Sequence, residues 1–167
     1  MSKQAFEESM QAGGRHHALG RFVGTWQGTT RVWFEPDKVA DEAPIRGTIR
    51  AVLDGRFLLH EYETQFMGER QVGIAMYGWH IDRGCHEAAW IDSAHTGTQI
   101  MSSAGTRGDE RFAVLGHYGG HDGSAPWGWR TEIVLEADDR LVITAYNLMP
   151  GEPEAKAVET VYQRVAD

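Results

Sequence analysis

The succession of strand-length segments most constrains the fold of this chain. After residue 22, stretches of alternating apolar and polar residues follow one another, separated by turn signals such as Asp54-Gly55 and Pro150-Gly151. Alternation with period two is typical of strands that are buried on one face. No segment between the strands suits a crossover helix, so hairpin connections are expected. We therefore predict an all-β fold: a closed, antiparallel, up-and-down barrel of about ten strands, whose closure removes exposed edges.

The first strand indicates how the barrel begins. Gly24-Thr25-Trp26-Gln27-Gly28 opens this strand after two short helix-compatible stretches. A tryptophan at this position can plug one end of a barrel, and glycines let the backbone bend and approach its neighbours closely. Upstream, Phe6 and Met10 lie four residues apart, on one face of a short helix. We expect residues 1–22 to form a helical segment that caps the barrel and residues 23–167 to form the barrel domain.

The remaining segments predict the other strands and loops. The acidic, turn-rich residues 36–44 predict a loop after the first strand. Asp54-Gly55 predicts a tight hairpin between two strands. The later strands are expected at residues 71–80, 87–93, 98–104, 111–118, 127–136, 141–148 and 155–165.

The composition excludes several classes of partner. The net charge of -8 and the scattered basic residues argue against nucleic acid and against a polybasic membrane surface. No stretch approaches the roughly 20 apolar residues of a membrane-spanning helix. The start of the chain lacks the apolar run of a signal peptide, and the single cysteine, Cys85, fits a reducing compartment. We expect a soluble, cytoplasmic domain.

Signatures of catalysis or metal binding are scarce in the sequence. The chain has no nucleophile elbow, phosphate-binding loop, dinucleotide fingerprint or Cys-x-x-Cys pair. The eight histidines give pairs beside turns without a third ligand, so no metal site is expected. Cys85 and His86 are adjacent in a strand and should point to opposite faces, which argues against a catalytic pair.

Charged residues within the strands are candidates for polar contacts in the interior. Glu61 shares a strand face with Phe57 and Leu59, and Asp92 follows an apolar strand. A charge on an inward face is costly unless it is paired or hydrogen-bonded. Two interpretations follow: such pairs fix strand register or lie at the barrel rim, or they orient a ligand in an apolar cavity. Arg130, by its alternation, faces outward.

The aromatic content favours a hollow barrel that holds a ligand. Most of the six tryptophans should be core residues, since each buries a large area. A barrel of about eight to ten strands is nevertheless wide enough that side chains need not fill it. We predict a site for a small hydrophobic or amphipathic ligand, with Met76 among the wall residues. The other expected wall residues are Trp26, Phe34, Trp90, Met101 and Trp129, and the expected polar contacts are Glu61, Asp92, Tyr146 and Tyr162.

Several motifs, in the same order along the chain, resemble the bacterial family called domain of unknown function 1579. The likeness runs from about residue 16 to residue 165 and implies a lipocalin-like barrel with no assigned activity or catalytic residues. Its most specific parts are Trp90-Ile91-Asp92-Ser93 with Thr96, and the closing set Lys156, Glu159, Tyr162 and Arg164.

The opening Gly-x-Trp-x-Gly also resembles nitrobindin-type barrels, which would imply haem. Haem needs an axial ligand that faces an apolar cavity. The last strand contains no histidine, so haem is disfavoured and no cofactor is expected.

Two alternatives to a binding protein remain open. The barrel could be an isomerase, cyclase or hydrolase in which a buried carboxyl with a raised pKa, Glu61 or Asp92, acts as general acid or base. It could also be a homodimer in which outer apolar residues, Trp33 and Leu115, pack against a second copy.

Overall fold

The computed structural model describes residues 2–166 and has the closed barrel expected from the alternation. Each strand pairs antiparallel with its neighbours in sequence, and the last strand pairs with the first. The prediction of an up-and-down barrel with a short helical start is confirmed. The helices are α1 (Lys3–Ser9) and α2 (Arg15–Gly20), and the strands are β1 (Gly24–Glu35), β2 (Lys38–Val52), β3 (Phe57–Phe66), β4 (Glu69–His80), β5 (Cys85–Asp92), β6 (Met101–Ala104), β7 (Phe112–Tyr118), β8 (Trp127–Ala137), β9 (Arg140–Leu148) and β10 (Ala155–Arg164).

Most of the loop expected at residues 36–44, from Lys38 onward, is a strand instead. β2 begins at Lys38, so only Pro36 and Asp37 separate it from β1. Asp37 has a φ of 60°, which is the left-handed conformation that a tight hairpin turn requires. The first residues of β2 are exposed, so their polar character is compatible with a strand that extends past the barrel. Backbone pairing with β1 therefore outweighs the turn-like composition.

The helical segment closes one end of the barrel. Leu19 of α2 and the following Phe22 belong to the apolar core, and Phe6 of α1 is buried. Trp26 is fully buried, and its indole Nε1 donates a hydrogen bond of 2.9 Å to the carbonyl of Phe22. The guanidinium of Arg164 lies over the Trp26 ring, 4.2 Å from its centroid. These contacts join the first strand, the last strand and α2. Neither helix within residues 2–166 is long and apolar enough to cross a membrane.

The apolar core fills the half of the barrel next to the helices. Its most buried members include Ile49, Leu58 and Leu141, each no more than 2% exposed. These residues come from strand ends near the turns that face the helical segment. Toward the other end of the barrel, inward positions carry polar and aromatic side chains. That half contains the interior cavity described below.

Candidate functional site

The barrel encloses a cavity of about 110 Å³ to which all ten strands contribute lining residues. Arg56, just before β3, lies over Phe6 of α1, whereas Gln65 near the far end of β3 lines the cavity. His95, which also lines the cavity and lies beside Phe66 at the far end of β3, has a side chain that is 28% exposed, so the cavity opens at the end opposite the helices. An engineered apolar cavity of roughly 150 Å³ holds benzene. The space in this barrel therefore suits a molecule of about one ring.

A pair of stacked tryptophans forms one wall of the cavity. The ring centroids of Trp90 and Trp129 lie 5.6 Å apart, with 14° between the ring planes. Met101, which is buried, and Val114 add aliphatic surface to the lining. A planar aromatic surface next to a flexible thioether is complementary to a flat apolar group.

A histidine between two tyrosines forms the deeper, polar part of the cavity. His60 Nδ1 is 3.0 Å from the hydroxyl oxygen of Tyr77, and His60 Nε2 is 3.2 Å from that of Tyr162. Gly47 makes room for this contact, since a Cβ there would lie 2.8 Å from the Tyr162 oxygen. We refer to His60, Tyr77 and Tyr162 as the neutral cluster.

The neutral cluster carries no charge at neutral pH. Burial lowers the pKa of His60 to about 4, and burial raises the pKa of the Tyr77 and Tyr162 phenols. A neutral imidazole has one donor and one acceptor nitrogen, so one tyrosine donates to it and the other accepts from it. The accepting tyrosine keeps its hydroxyl proton for a second partner. The cluster can thus bond a neutral polar group.

Tyr62 adds a third tyrosine hydroxyl to the lining. Trp90 Nε1 donates to the Tyr62 oxygen at 2.9 Å. An indole N–H is only a donor, so the Tyr62 oxygen accepts and its own proton remains for another acceptor. Burial raises the pKa of Tyr62, which keeps this proton in place.

A buried carboxylate anchors the segment that follows β5. The side chain of Asp92 is 0% exposed, and its Oδ1 accepts from the backbone N–H groups of His95 at 2.6 Å and Thr96 at 2.8 Å. Its Oδ2 accepts from Gln71 Nε2 at 2.5 Å and from His95 Nδ1 at 2.8 Å. The Thr96 hydroxyl accepts from the Asp92 N–H at 2.8 Å. Asp92 therefore holds the start of residues 93–100 against the barrel.

These hydrogen bonds keep Asp92 ionised. Burial by itself would raise its pKa, but the bonds from the His95 side chain and the backbone of Thr96 and His95 outweigh burial and lower the pKa to about 2. A carboxyl with this pKa is not a general acid near neutral pH. The raised pKa expected for an Asp92 acid or base is therefore wrong.

His95 connects Asp92 to the cavity. Its imidazole lines the cavity and is 28% exposed, with its ring centroid 4.8 Å from that of Phe66 and 6.1 Å from that of Trp90. Nδ1 lies 2.8 Å from Asp92 Oδ2 and 3.1 Å from Gln71 Nε2, and no protein group within residues 2–166 forms a hydrogen bond with Nε2. An Nδ1–H that donates to a carboxylate leaves Nε2 with a lone pair, so Nε2 is an acceptor.

Four of the predicted ligand-binding residues line the cavity: Trp90, Met101, Trp129 and Tyr162. Trp26 lies between the cavity and the helical segment, and it packs against Tyr162 with 6.2 Å between ring centroids. Asp92 acts at the rim, through its bond to a lining histidine.

Glu61 lies outside the barrel, so its prediction as a cavity residue is wrong. On β3 the inward positions are those of Leu58, His60 and Tyr62, which leaves Glu61 on the outer face. The Glu61 carboxylate is about half exposed and lies 3.5 Å from the Arg50 guanidinium.

Three further predicted residues also lie away from the cavity. Phe34 is 66% exposed and contacts Phe66 beyond the barrel rim, because β1 and β2 extend past the other strands. Tyr146 is on the outer face, where the Arg130 guanidinium covers its ring at 4.2 Å. Met76 is 41% exposed on the outer face of β4.

Five polar residues of the site were not predicted from the sequence: His60, Tyr62, Gln71, Tyr77 and His95. The alternation of β3 does not show whether His60 faces inward, since both faces of this strand carry large apolar residues. For His95 a local signal was available: an aspartate three residues earlier and a threonine one residue later. Within residues 2–166, no three His, Cys, Asp or Glu side chains come together as a metal site.

The geometry does not fit an enclosed haem. Both ring nitrogens of His60 are engaged by tyrosines, so it has no free nitrogen for iron. His95 has a free nitrogen and a carboxylate partner, as metal-binding histidines often do. However, the cavity of about 110 Å³ is well below the roughly 300–1,000 Å³ of pockets for drug-sized molecules, and a porphyrin is larger still.

The fold and cavity define a ten-stranded antiparallel barrel protein with a hollow, mixed polar and aromatic interior. Within that class, the chain belongs to the family described as protein of unknown function (DUF1579), whose family model matches residues 11–164. The resemblance seen in the motifs is thereby confirmed.

Other comparisons add support for the fold alone. A search of the curated proteins gave no match. Among solved structures, the chain is similar to the crystal structure of Rv2717c from M. tuberculosis, with a TM-score of 0.57 and 16% sequence identity. The similarity covers 93% of this chain and 100% of that chain.

Proposed function

We propose that the protein binds a compact, planar, neutral small molecule inside the barrel. The observation that carries this proposal is the cavity of about 110 Å³ between the stacked Trp90–Trp129 wall and the neutral cluster. Small-molecule sites typically combine apolar walls with a few convergent polar groups. The cavity has both.

The cavity dimensions narrow the expected ligand. A volume near 110 Å³ favours a molecule of about one ring over a long acyl chain. Such a ring can lie against the indole planes, while a polar substituent meets a tyrosine hydroxyl or an imidazole nitrogen.

The electrostatics favour a neutral ligand. The phenols and His60 are uncharged at neutral pH, so they offer hydrogen bonds without a compensating charge. Among residues 2–166, the one buried carboxylate beside the cavity, Asp92, is already saturated by Gln71, His95 and backbone donors. A ligand ion would lose its hydration without gaining a counter-ion deep in the cavity.

An enzyme that uses a buried carboxyl receives no support from this geometry. Glu61 faces outward, and Asp92 is held ionised by its partners. Ligand binding is therefore the function that we propose.

Two neighbouring alanines on β5 provide a matched test. Ala88 lines the cavity, whereas Ala89 is the next residue and points to the opposite face. Ala88→Leu should fill the cavity, and Ala89→Leu adds the same atoms outside it. We expect fluorobenzene, followed by fluorine NMR, to bind the unaltered protein and Ala89→Leu alike, and to bind Ala88→Leu at least about tenfold more weakly.

Extraction with organic solvent and mass spectrometry of the same three proteins gives a second readout. A co-purified molecule should be present in the unaltered protein and in Ala89→Leu and depleted in Ala88→Leu. Equal binding of fluorobenzene by all three proteins would show that the probe binds elsewhere, and the proposal would fail.

A further inference from the structure

We propose that the ligand carries a weakly acidic hydroxyl, of the phenol or enol class, and that this hydroxyl donates a hydrogen bond to Nε2 of His95. Asp92 is the residue that positions His95 for this contact. The inference rests on the proposed function, since it names the chemical class of the molecule held in the barrel.

The orientation of His95 is fixed from two sides. Its Nδ1 is 2.8 Å from Asp92 Oδ2, and its backbone N–H donates to Asp92 Oδ1 at 2.6 Å. The carboxylate is itself held by Gln71 Nε2 and by the backbone N–H of Thr96. An imidazole tethered through both its side chain and its backbone loses little further freedom on binding a ligand.

The tautomer makes Nε2 an acceptor. Nδ1 is 2.8 Å from Asp92 Oδ2 and 3.1 Å from Gln71 Nε2, whose N–H donates to the same Oδ2 at 2.5 Å. Because a carboxylate only accepts and its contact with Nδ1 is the shorter of the two, Nδ1 carries the proton and Nε2 presents a lone pair. The negative charge behind the ring strengthens Nε2 as an acceptor, as the carboxylate partners of metal-binding and catalytic histidines do. A hydroxyl is therefore a better partner for Nε2 than a carbonyl, and an acidic hydroxyl is better than an alcohol.

The position of His95 matches the aromatic wall. Its ring centroid is 6.1 Å from that of Trp90, which is stacked on Trp129. A ligand ring lying against this wall can reach His95 with a substituent on its edge. The Nε2 acceptor has no partner of its own among residues 2–166, so a ligand hydroxyl gains a hydrogen bond there that a ligand without a hydroxyl does not.

A purely structural role is the competing explanation, because Asp92 and His95 also anchor residues 93–100. The two roles differ in one measurable quantity: the ratio of affinities for two probes that differ only in a hydroxyl. A structural role affects both probes equally, whereas recognition affects only the hydroxylated one.

The test compares 4-fluorophenol with fluorobenzene by fluorine NMR. The unaltered protein should bind 4-fluorophenol about tenfold more tightly, which corresponds to one good hydrogen bond. His95→Phe should bring the two affinities to within about twofold of each other, whatever change it makes in both. His95→Gln, which retains an acceptor oxygen, should keep part of the preference.

Two further variants complete the design. Asp92→Asn should reduce the preference for 4-fluorophenol, since an amide no longer fixes the imidazole tautomer. His121→Phe, at an exposed loop position beyond β7, serves as the control and should leave the preference unchanged.

The outcomes separate this inference from the proposed function. If both probes bind, Ala88→Leu blocks both, and the affinity ratio is near one or unchanged by His95→Phe, then the hydroxyl inference is wrong and interior binding stands. If neither probe binds, or Ala88→Leu has no effect on binding, then interior binding and the hydroxyl inference both fail.

Discussion

Gly73 lies directly opposite Tyr62 in the β3–β4 ladder, and the tyrosine ring covers the glycine. A Cβ on Gly73 would lie 2.2 Å from the Tyr62 hydroxyl oxygen, far closer than atoms can approach. The ring thus occupies the space of a missing side chain. In this orientation the Tyr62 hydroxyl meets Trp90 Nε1 at 2.9 Å. The backbone of β4 therefore helps to shape the aromatic wall of the cavity.

The first prediction is that Gly73→Ala destabilises the protein. The added methyl group must displace the Tyr62 ring and break its bond to Trp90, which should lower the free energy of unfolding by about 1–3 kcal/mol. Urea denaturation followed by tryptophan fluorescence measures this change. Gly20→Ala is the control, because a Cβ at this position, at the end of α2, would have no atom within 4 Å. Its effect should be within about 0.5 kcal/mol or stabilising, and equal losses in both variants would contradict this explanation.

The second prediction is that the folded protein loses stability as the pH falls from 6.5 to about 4. Unfolded His60 takes up a proton below its ordinary pKa of 6.5, whereas burial keeps the folded residue neutral down to about 4. Between these values the unfolded state binds more protons, so stability falls as the pH is lowered. His86 acts in the same direction, since its pKa is also lowered to about 4, chiefly by burial. Each residue contributes a slope of up to about 1.4 kcal/mol per pH unit in this window.

Replacement of these histidines tests their contributions to the slope. His60→Gln keeps a donor and an acceptor between Tyr77 and Tyr162 but cannot titrate. The unfolding free energy of His60→Gln should therefore depend less steeply on pH between 6.5 and 4 than that of the unaltered protein. His86→Gln should remove a separate part of the slope, and the double variant should remove both. An undiminished slope in His60→Gln would show that His60 does not contribute.

The barrel was predictable because most strands alternate in a recognisable way and hairpins join the strands in sequence order. The first residues of two strands, β2 and β6, were not predictable. Residues 36–44 combine prolines with acidic residues, a composition of turns, yet their backbone pairs with β1. The strand expected from residue 98 starts only at Met101, because Asp92 and Thr96 hold the preceding residues in a turn.

The site residues that could be predicted from the sequence are those that are both large and apolar. Trp129 and Met101 are large apolar residues on inward positions, and both line the cavity. Glu61 was misplaced because β3 has apolar residues in both phases, so the sequence alone could not tell which face is inward. The pairing of β3 with β2 and β4 decides this, and that is long-range information. The Nε2 acceptor of His95 depends on the bond between His95 Nδ1 and Asp92. A sequence pattern of three metal ligands does not include such a pair.

The third prediction is that Asp92 contributes to stability and Glu61 does not. Asp92→Asn leaves the backbone donors of His95 and Thr96 with a weaker acceptor, which should cost about 2 kcal/mol of unfolding free energy. Amide hydrogen exchange should become faster at residues 94–96. Glu61→Gln removes only a half-exposed pair with Arg50 and should change stability by less than about 0.5 kcal/mol. Similar losses in the two variants would argue against Asp92 as an anchor.

The stability from Asp92 should also depend on pH. Its folded pKa of about 2 lies below its ordinary value of 3.8, so its contribution is complete above pH 4 and is lost as the pH falls toward 2. In Asp92→Asn this part of the acid dependence should be absent. Urea denaturation of both proteins between about pH 4.5 and about pH 2.5 gives the comparison, and parallel curves for the two would refute the assignment.

The last prediction is that Trp26 holds α2 on the barrel. Trp26→Phe removes the N–H that bonds the Phe22 carbonyl and weakens the contact with the Arg164 guanidinium. The loss of a buried hydrogen bond and of packed volume should cost about 2–4 kcal/mol. Trp127→Phe is the control: Trp127 is 39% exposed at the other end of the barrel, so its replacement should cost less than about 1 kcal/mol. Amide exchange should accelerate across residues 15–23 in Trp26→Phe only, because α2 is docked through Phe22 and the strand that follows. If exchange in α2 is unchanged while stability falls, then Trp26 supports the barrel wall without fixing the helix.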